Sequence, residues 1–239
     1  MSWSRAVVVG AVTVVLSIVG AMVLIIEGVI VAMTVFAALL LIGLAAFLRY
    51  RIAGAGALAM LAVASLVATV PFAIESLLLV QSSVDFSLNL LSIGGAVLLL
   101  VAALAVVRDR DSDRESRGAR RAMIAFLVTM IVGVGASVTL RLLREDPPGR
   151  AGDVTVYAEN IDFSPATVRA GAGPITVFLE NNDLTAHTFS IQKLDIDEAV
   201  PGGGSARIAF DAAPGSYEFY CSIAGHEEMT GTLEVEGSI

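Results

Sequence analysis

The chain has 239 residues, of which 56% are hydrophobic and only 16% are charged, and its mean hydropathy is +0.81. Soluble globular proteins carry about 25% charged residues, so these values exclude a wholly soluble protein and predict one that lies partly in a membrane. Charge divides the chain, because residues 1–150 hold 12 basic and 9 acidic side chains and residues 151–239 hold 3 basic and 14 acidic ones. The acidic second half disfavours nucleic-acid binding.

The first half contains five apolar runs, and runs of about 20 residues are long enough to cross a bilayer as helices. They cover residues 6–26, 29–48, 53–80, 88–107 and 122–140. The third run contains Pro71 and Glu75, so we expect its span to be shorter, tilted or kinked. Only Glu27 and Gly28 separate the first two runs, which leaves the helix count open at that point. The pattern predicts a membrane α-helical bundle of about five transmembrane helices.

Arginines set the expected orientation of these helices, because cytoplasmic loops are rich in Lys and Arg. Arg5 precedes the first run, Arg49 and Arg51 follow the second, and six arginines lie between the fourth and fifth runs. The loops after the first and third runs have none. We therefore expect a multi-pass protein of the cell membrane with a cytoplasmic N-terminus and an extracytoplasmic C-terminal domain. The bundle contains no histidine, so haem held by paired histidines is excluded there, and its pattern indicates no other function.

A polar segment rich in proline and glycine, residues 144–152, follows the last apolar run and predicts a linker. Fully extended, nine residues span at most about 30 Å, so the domain that follows stays near the membrane surface. The expected organisation is a transmembrane region over 1–143, this linker, and a second domain over 153–239.

The second domain has the composition of β-structure, with short runs of Val, Ile, Thr, Phe and Tyr separated by Gly, Pro, Asn and Asp. The predicted strands cover residues 154–158, 175–179, 187–191, 206–210, 216–221 and 230–235. Strands at this spacing in about 85 residues predict a small antiparallel sandwich or barrel. A short helical pattern competes with it only around residues 194–199.

The rare residues of the chain converge on this domain. Cys221 ends a predicted strand, His226 follows five positions later and Met229 three after that, while the only other histidine, His187, opens another strand. Two imidazoles, one thiolate and a weakly held thioether are the ligands of a mononuclear blue-copper site. We therefore predict that one copper ion binds to His187, Cys221, His226 and Met229.

Three segments resemble the cupredoxins, particularly the plastocyanin and azurin group: NIDFSPATVRAG at 160–171, NNDLTAHTF at 181–189 and YEFYCSIAGH at 217–226. The resemblance covers about residues 153–236 and implies an all-β Greek-key sandwich with a type 1 copper at one end. Two features differ from the usual pattern. The spacing Cys-x4-His-x2-Met combines a Cys-to-His step like that of the azurins with a short His-to-Met step like that of the amicyanins, and Thr188 stands where many family members have Asn. The resemblance says nothing about the transmembrane region.

Two functions remain open on this basis. The first is a membrane-tethered carrier of single electrons on the outer side of the cytoplasmic membrane, with a redox protein as partner, either basic and cytochrome c-like or an oxidase complex. Its electron entry would lie at outward-facing Tyr220 or at the edge ligand His226. The alternative is a copper-binding module for delivery, buffering or sensing, attached to a membrane receptor or transport region. A copper enzyme is not expected, because a second centre would need histidines that the chain lacks.

Overall fold

The computed structural model describes residues 1–24, 30–78, 80, 82–109 and 113–237, and within helices the side chains of 23–24, 30–32, 70–73 and 75–78 lie outside that description. The chain divides into two compact units, Met1–Leu140 and Arg141–Ile239. The first unit is helical and the second consists mainly of β-strands, as the change in composition predicts.

The described residues of the first unit form five helices, the last of which continues to Leu143: α1 (Trp3–Leu24), α2 (Ile30–Arg49), α3 (Arg51–Leu78), α4 (Ser83–Arg108) and α5 (Arg117–Leu143). Four of them are long and apolar enough to cross a membrane, over Trp3–Met22, Arg51–Thr69, Ser83–Arg108 and Arg117–Leu143. The described apolar part of α2, Met33–Arg49, is shorter. The predicted helical bundle is thus confirmed, with five helices in the part of the chain that the structure describes, four of them long enough to span.

The connection at Glu27 and Gly28 lies outside the described residues. A single helix, α3, runs through Pro71 and Glu75, whose side chains are also outside the description.

Helix α4 packs against both α1 and α3, and small residues let the helices approach closely. A Cβ added at Gly10 of α1 would lie 2.7 Å from the backbone nitrogen of Leu99 in α4. A Cβ added at Gly54 of α3 would lie 2.2 Å from the backbone nitrogen of Phe47 in α2. The buried face of α4 accordingly consists largely of small and aliphatic side chains: Ser92, Gly95, Ala96, Leu98, Leu99, Ala102, Ala103 and Val106.

Up to residue 237, the second unit contains nine strands: β1 (Val154–Glu159), β2 (Asp162–Ser164), β3 (Thr167–Gly171), β4 (Gly173–Asn181), β5 (His187–Ile191), β6 (Ile196–Val200), β7 (Ser205–Ala212), β8 (Gly215–Tyr220) and β9 (Thr230–Glu236). One sheet has the strand order β2-β1-β4-β7 and the other β3-β9-β8-β5-β6. The β-sandwich predicted from the sequence is confirmed.

The prediction of purely antiparallel pairing was wrong, because β1 pairs with β4 and β3 with β9 in parallel. Strands β2, β3 and β6 were not predicted, and residues 196–200, near the competing helical pattern, form β6 after a short 3-10 turn at Gln192–Leu194. Only Ala172 separates the end of β3 from the start of β4.

Three aromatic rings fill the centre of the sandwich. Phe163, Phe189 and Phe219 are at most 2% exposed. Phe163 packs edge-on against Phe219 at 5.1 Å between ring centroids, and Phe189 stacks on Phe219 at 5.0 Å. This core joins the two sheets and holds β5 and β8 in fixed positions. Strand β5 begins at His187, and β8 ends one residue before Cys221.

The segment between α5 and β1 contacts the sandwich. Arg144 pairs with Asp146 at 2.7 Å, and the Ser205 hydroxyl at the start of β7 donates to the Pro147 carbonyl at 2.7 Å. Asp153 accepts two hydrogen bonds from the Arg207 guanidinium, at 2.8 and 2.7 Å. Pro147, within the predicted linker, and Asp153, the residue that follows it, therefore both contact β7.

Candidate metal centre

Two adjacent strands and one loop bring the predicted ligands together. His187 is the first residue of β5, Cys221 follows the last residue of β8, and His226 and Met229 lie in the loop between β8 and β9. The loop is closed at its base, where the Cys221 N–H donates to the Met229 carbonyl at 3.0 Å. Gly225 has a φ of +93°, a left-handed conformation that glycine adopts without strain, and it leads directly into His226.

Three of the four donor atoms that the sequence predicts form a compact triangle. The Nδ1 atoms of His187 and His226 are 3.2 Å apart, and Cys221 Sγ lies 3.9 Å from the first and 3.5 Å from the second. A triangle with these sides has a circumradius of about 2.1 Å, and metal–nitrogen and metal–sulfur bonds measure about 2.0–2.3 Å. One ion can therefore bind all three atoms without a change in the backbone.

The donors are also shielded from water. His187 and Met229 have no exposed surface, Cys221 is 3% exposed and His226 is 6% exposed. Thiolate and thioether donors suit Cu(I), imidazoles suit copper and other transition metals, and a set of two His and one Cys with a weak Met is typical of blue copper. Within the described part of the chain, His187, Cys221 and His226 form the one group of His, Cys and acidic side chains spaced to hold a metal ion.

A carboxylate fixes the orientation of the His187 ring. His187 Nε2 lies 2.8 Å from Asp183 Oδ2, and an ionised carboxylate can only accept a hydrogen bond. Burial alone would raise the pKa of Asp183, but hydrogen bonds from the N–H groups of Ile161 and Asn160 and from the His187 ring lower it overall. The proton of His187 is thus held on Nε2, which leaves the lone pair of Nδ1 for a metal.

The Asn181 side chain stabilises the loop that carries Asp183 and His187. Its side chain is 1% exposed, donates to the carbonyls of Thr185 and Val200 at 2.9 and 3.1 Å, and accepts from the Asp183 N–H at 3.0 Å. Neither Asn181 nor Asp183 was singled out from the sequence. Their signal was weak, because Asn and Asp are also the usual residues of turns.

The other two donors are suited to a cation. Burial lowers the pKa of His226 to about 4, and the His187 ring adds to the effect, so this imidazole is neutral at neutral pH. Burial raises the pKa of the Cys221 thiol, while a hydrogen bond from the Thr188 N–H favours the thiolate. A bound cation deprotonates a coordinating thiol, which makes the sulfur a donor despite its burial.

A comparison with known protein families finds one match. Residues 124–235 match the cupredoxin-like domain family, and the match begins within α5, upstream of the sandwich. No sequence among curated proteins matches the chain.

Several solved structures overlap the chain in part. An oxidized amicyanin mutant is 17% identical, with a TM-score of 0.31, and the overlap covers 37% of this chain and 86% of amicyanin. A copper-containing nitrite reductase from Thermus scotoductus is 23% identical, with a TM-score of 0.32, and the overlap covers 41% of this chain and 28% of the reductase. The metal-binding domain of a Cu(I)-exporting ATPase from Streptococcus pneumoniae is 18% identical, with a TM-score of 0.31, over 37% of this chain and 91% of that domain. From the family match, the fold and the donor set together, the C-terminal part of this protein is a cupredoxin-like domain whose cofactor is copper.

Proposed function

We propose that this protein is a membrane-bound type 1 copper protein that carries single electrons, with copper held by His187, Cys221, His226 and Met229. The observation that carries the proposal is the triangle of Nδ1, Nδ1 and Sγ atoms, which is already assembled and buried. Met229 would complete the set as a weakly held thioether ligand. It is fully buried, and its backbone bonds to those of both Cys221 and His226.

Bound copper supplies a one-electron couple between Cu(II) and Cu(I), and the protein's own residues keep the surrounding geometry the same in both states. His187 is held by Asp183 and by strand pairing with β6, and Cys221 is held by the base of the ligand loop. Because neither side of the site can relax freely, little reorganisation accompanies electron transfer. A delivery site needs the opposite property, since its ion must leave.

The composition of the chain supports a carrier rather than an enzyme. Both histidines and the single cysteine belong to the proposed site. A second copper centre with histidine ligands would need imidazoles that this chain does not contain, so a substrate-converting copper enzyme is not proposed.

Membrane attachment is the second part of the proposal. Residues 1–143 form the membrane region, residues 144–152 the linker and residues 153–239 the copper domain. The arginines between α4 and α5 support a cytoplasmic position for that loop, with the start of α1 also inside and the copper domain outside. The net charge of −11 over residues 151–239 favours a basic redox partner, either cytochrome c-like or part of an oxidase complex, through electrostatic steering that salt weakens.

The test uses the full chain in detergent, loaded with Cu(II). We expect an intense blue absorption band that bleaches on reduction, returns on oxidation and is absent from Cys221→Ser. The matched control is Ala224→Ser, which adds a hydroxyl to the same loop at an exposed position and should keep the band. A pale copper signal that does not depend on Cys221 would refute the electron carrier. Loss of the metal at each redox cycle would instead favour copper delivery.

A further inference from the structure

A network of hydroxyl groups connects the segment at Cys221 and Ser222 to Asp197 on the edge strand β6. Ser190 lies on β5 between its strand partners Tyr220 of β8 and Asp197 of β6. The hydroxyls of Ser190 and Ser222 both donate to Asp197 Oδ1, at 2.6 and 3.0 Å. Thr188 Oγ1 lies 2.9 Å from Ser190 Oγ and 3.1 Å from Ser222 Oγ. Thr188 and Ser190 are buried, at 6% and 2% exposed.

The number of protons gives this network a direction. Each hydroxyl carries one proton, and an ionised carboxylate carries none. Since Ser190 and Ser222 give their protons to Asp197, the Thr188 hydroxyl is left to donate to a serine oxygen. A lone pair of Thr188 Oγ1 is then available to accept the Ser222 N–H, at 2.6 Å.

Thr188 in turn holds the metal-binding sulfur. Its backbone N–H donates to Cys221 Sγ at 3.4 Å, while its hydroxyl accepts from the N–H of the next residue, Ser222. Two hydrogen bonds of opposite direction thus join Thr188 to the Cys221–Ser222 segment and fix Sγ against β5. Hydrogen bonds to a coordinating sulfur tune the reduction potential of a metal centre, because they withdraw charge from the sulfur and favour the reduced state.

We propose that Asp197 is a positioning residue for the copper centre: through Ser190 and Ser222 it orients Thr188, and thereby maintains the N–H···S hydrogen bond to Cys221. The inference rests on the proposed function for its effect on copper, but the hydrogen-bond network itself exists without a metal. Asp197 does not touch the predicted ligands, so its influence depends on the accepting oxygen that it offers to the two serines.

Two substitutions distinguish the effect of the accepting oxygen of Asp197 from the effect of its negative charge. Asp197→Asn removes the charge and keeps an accepting oxygen, whereas Asp197→Ala removes both. Glu198→Gln is the matched control for charge, since Glu198 is the next residue of β6, is also exposed and alternates to the other face of the strand. Asp197 is itself exposed, so we expect all three variants to fold.

The first measurement is hydrogen exchange on the metal-free full chain in detergent, followed by mass spectrometry of peptides that cover residues 186–191 and 219–224. We expect at least tenfold faster exchange of the Thr188 and Ser222 amides in Asp197→Ala, and exchange like that of the unaltered chain in Asp197→Asn and Glu198→Gln. Equal exchange in the alanine and asparagine variants would overturn the proposal.

The second measurement is the reduction potential of the copper-loaded variants. Loss of one negative charge should raise the potential similarly in Asp197→Asn and Glu198→Gln, and Asp197→Ala should lie below Asp197→Asn because its sulfur has lost hydrogen bonding. Equal potentials in the two Asp197 variants would overturn the tuning role whatever the exchange shows. A failure of the unaltered chain to form a blue site would refute the proposed function instead, and the exchange result would still decide whether Asp197 holds Thr188.

Discussion

Replacing Asp183 with Asn tests how strongly the carboxylate behind His187 supports the copper site. Asp183 accepts three hydrogen bonds, from Asn160 N–H at 2.8 Å, from Ile161 N–H at 3.0 Å and from His187 Nε2 at 2.8 Å. An amide has only one oxygen, so either orientation of Asn turns its NH2 group toward at least one of these donors. A hydrogen bond to a charged group contributes about 1.5–3 kcal/mol, which corresponds to a factor of roughly 10–150 in an equilibrium constant. Substitution of outer partners of metal-bound histidines likewise costs about 10–100-fold in affinity.

We therefore expect Asp183→Asn to weaken Cu(II) binding about 10–100-fold, measured by competition with a chelator on the full chain in detergent. Removal of a negative charge disfavours Cu(II) more than Cu(I), so Cu(I) affinity should fall less. By the thermodynamic cycle, the reduction potential rises by about 59 mV for each tenfold difference between the two losses. The control is Glu159→Gln, which removes an exposed carboxylate at the end of β1. A Cu(II) affinity for Asp183→Asn that stays within twofold of this control would refute the reasoning.

Three further predictions concern acid stability, helix packing and the aromatic core. The Arg207 hydrogen bond lowers the pKa of Asp153 from 3.8 to about 2, so this pair stabilises the fold above pH 3.8 and loses its contribution as the pH falls toward 2. Asp153→Asn should therefore reduce the pH dependence of the thermal midpoint of the copper domain between pH 5 and pH 2, and an unchanged dependence would contradict the assignment. Gly54→Ala should lower the thermal midpoint of the helical unit in detergent, because its Cβ would meet the Phe47 backbone and overpacking costs about 1–3 kcal/mol. The control is Gly56→Ala in the same helix, where a Cβ meets nothing within 4 Å, and its thermal midpoint should not change. Phe219→Ala removes the ring that packs against both Phe163 and Phe189 and should reduce the free energy of unfolding by about 3–5 kcal/mol, measured by tyrosine fluorescence in denaturant. The control is Tyr157→Phe, at a position that is 39% exposed, and its free energy of unfolding should stay close to that of the unaltered chain.

The sequence alone predicted the two-part organisation and the ligand cluster for identifiable reasons. Membrane helices leave a one-dimensional signal, because each run must be apolar over its whole length. The ligand cluster was visible because the chain has one cysteine and two histidines, so few combinations were possible. The strands that hold the ligands, β5 and β8, were found because their residues are rich in Phe, Tyr, Thr and Ile.

Only the tertiary structure revealed the pairing of strands and the residues behind the ligands. The parallel pairs β1–β4 and β3–β9 join segments far apart in the chain, where no turn sets the register. Asp183 and Asp197 could not be distinguished among the 14 acidic residues of positions 151–239, since their roles depend on atoms brought within 3 Å by folding. The sequence by itself determined which residues carry the donor chemistry of a copper site, because that chemistry belongs to single residues. The orientation of their donor atoms depends on hydrogen bonds between strands, and these exist only once the sandwich has formed.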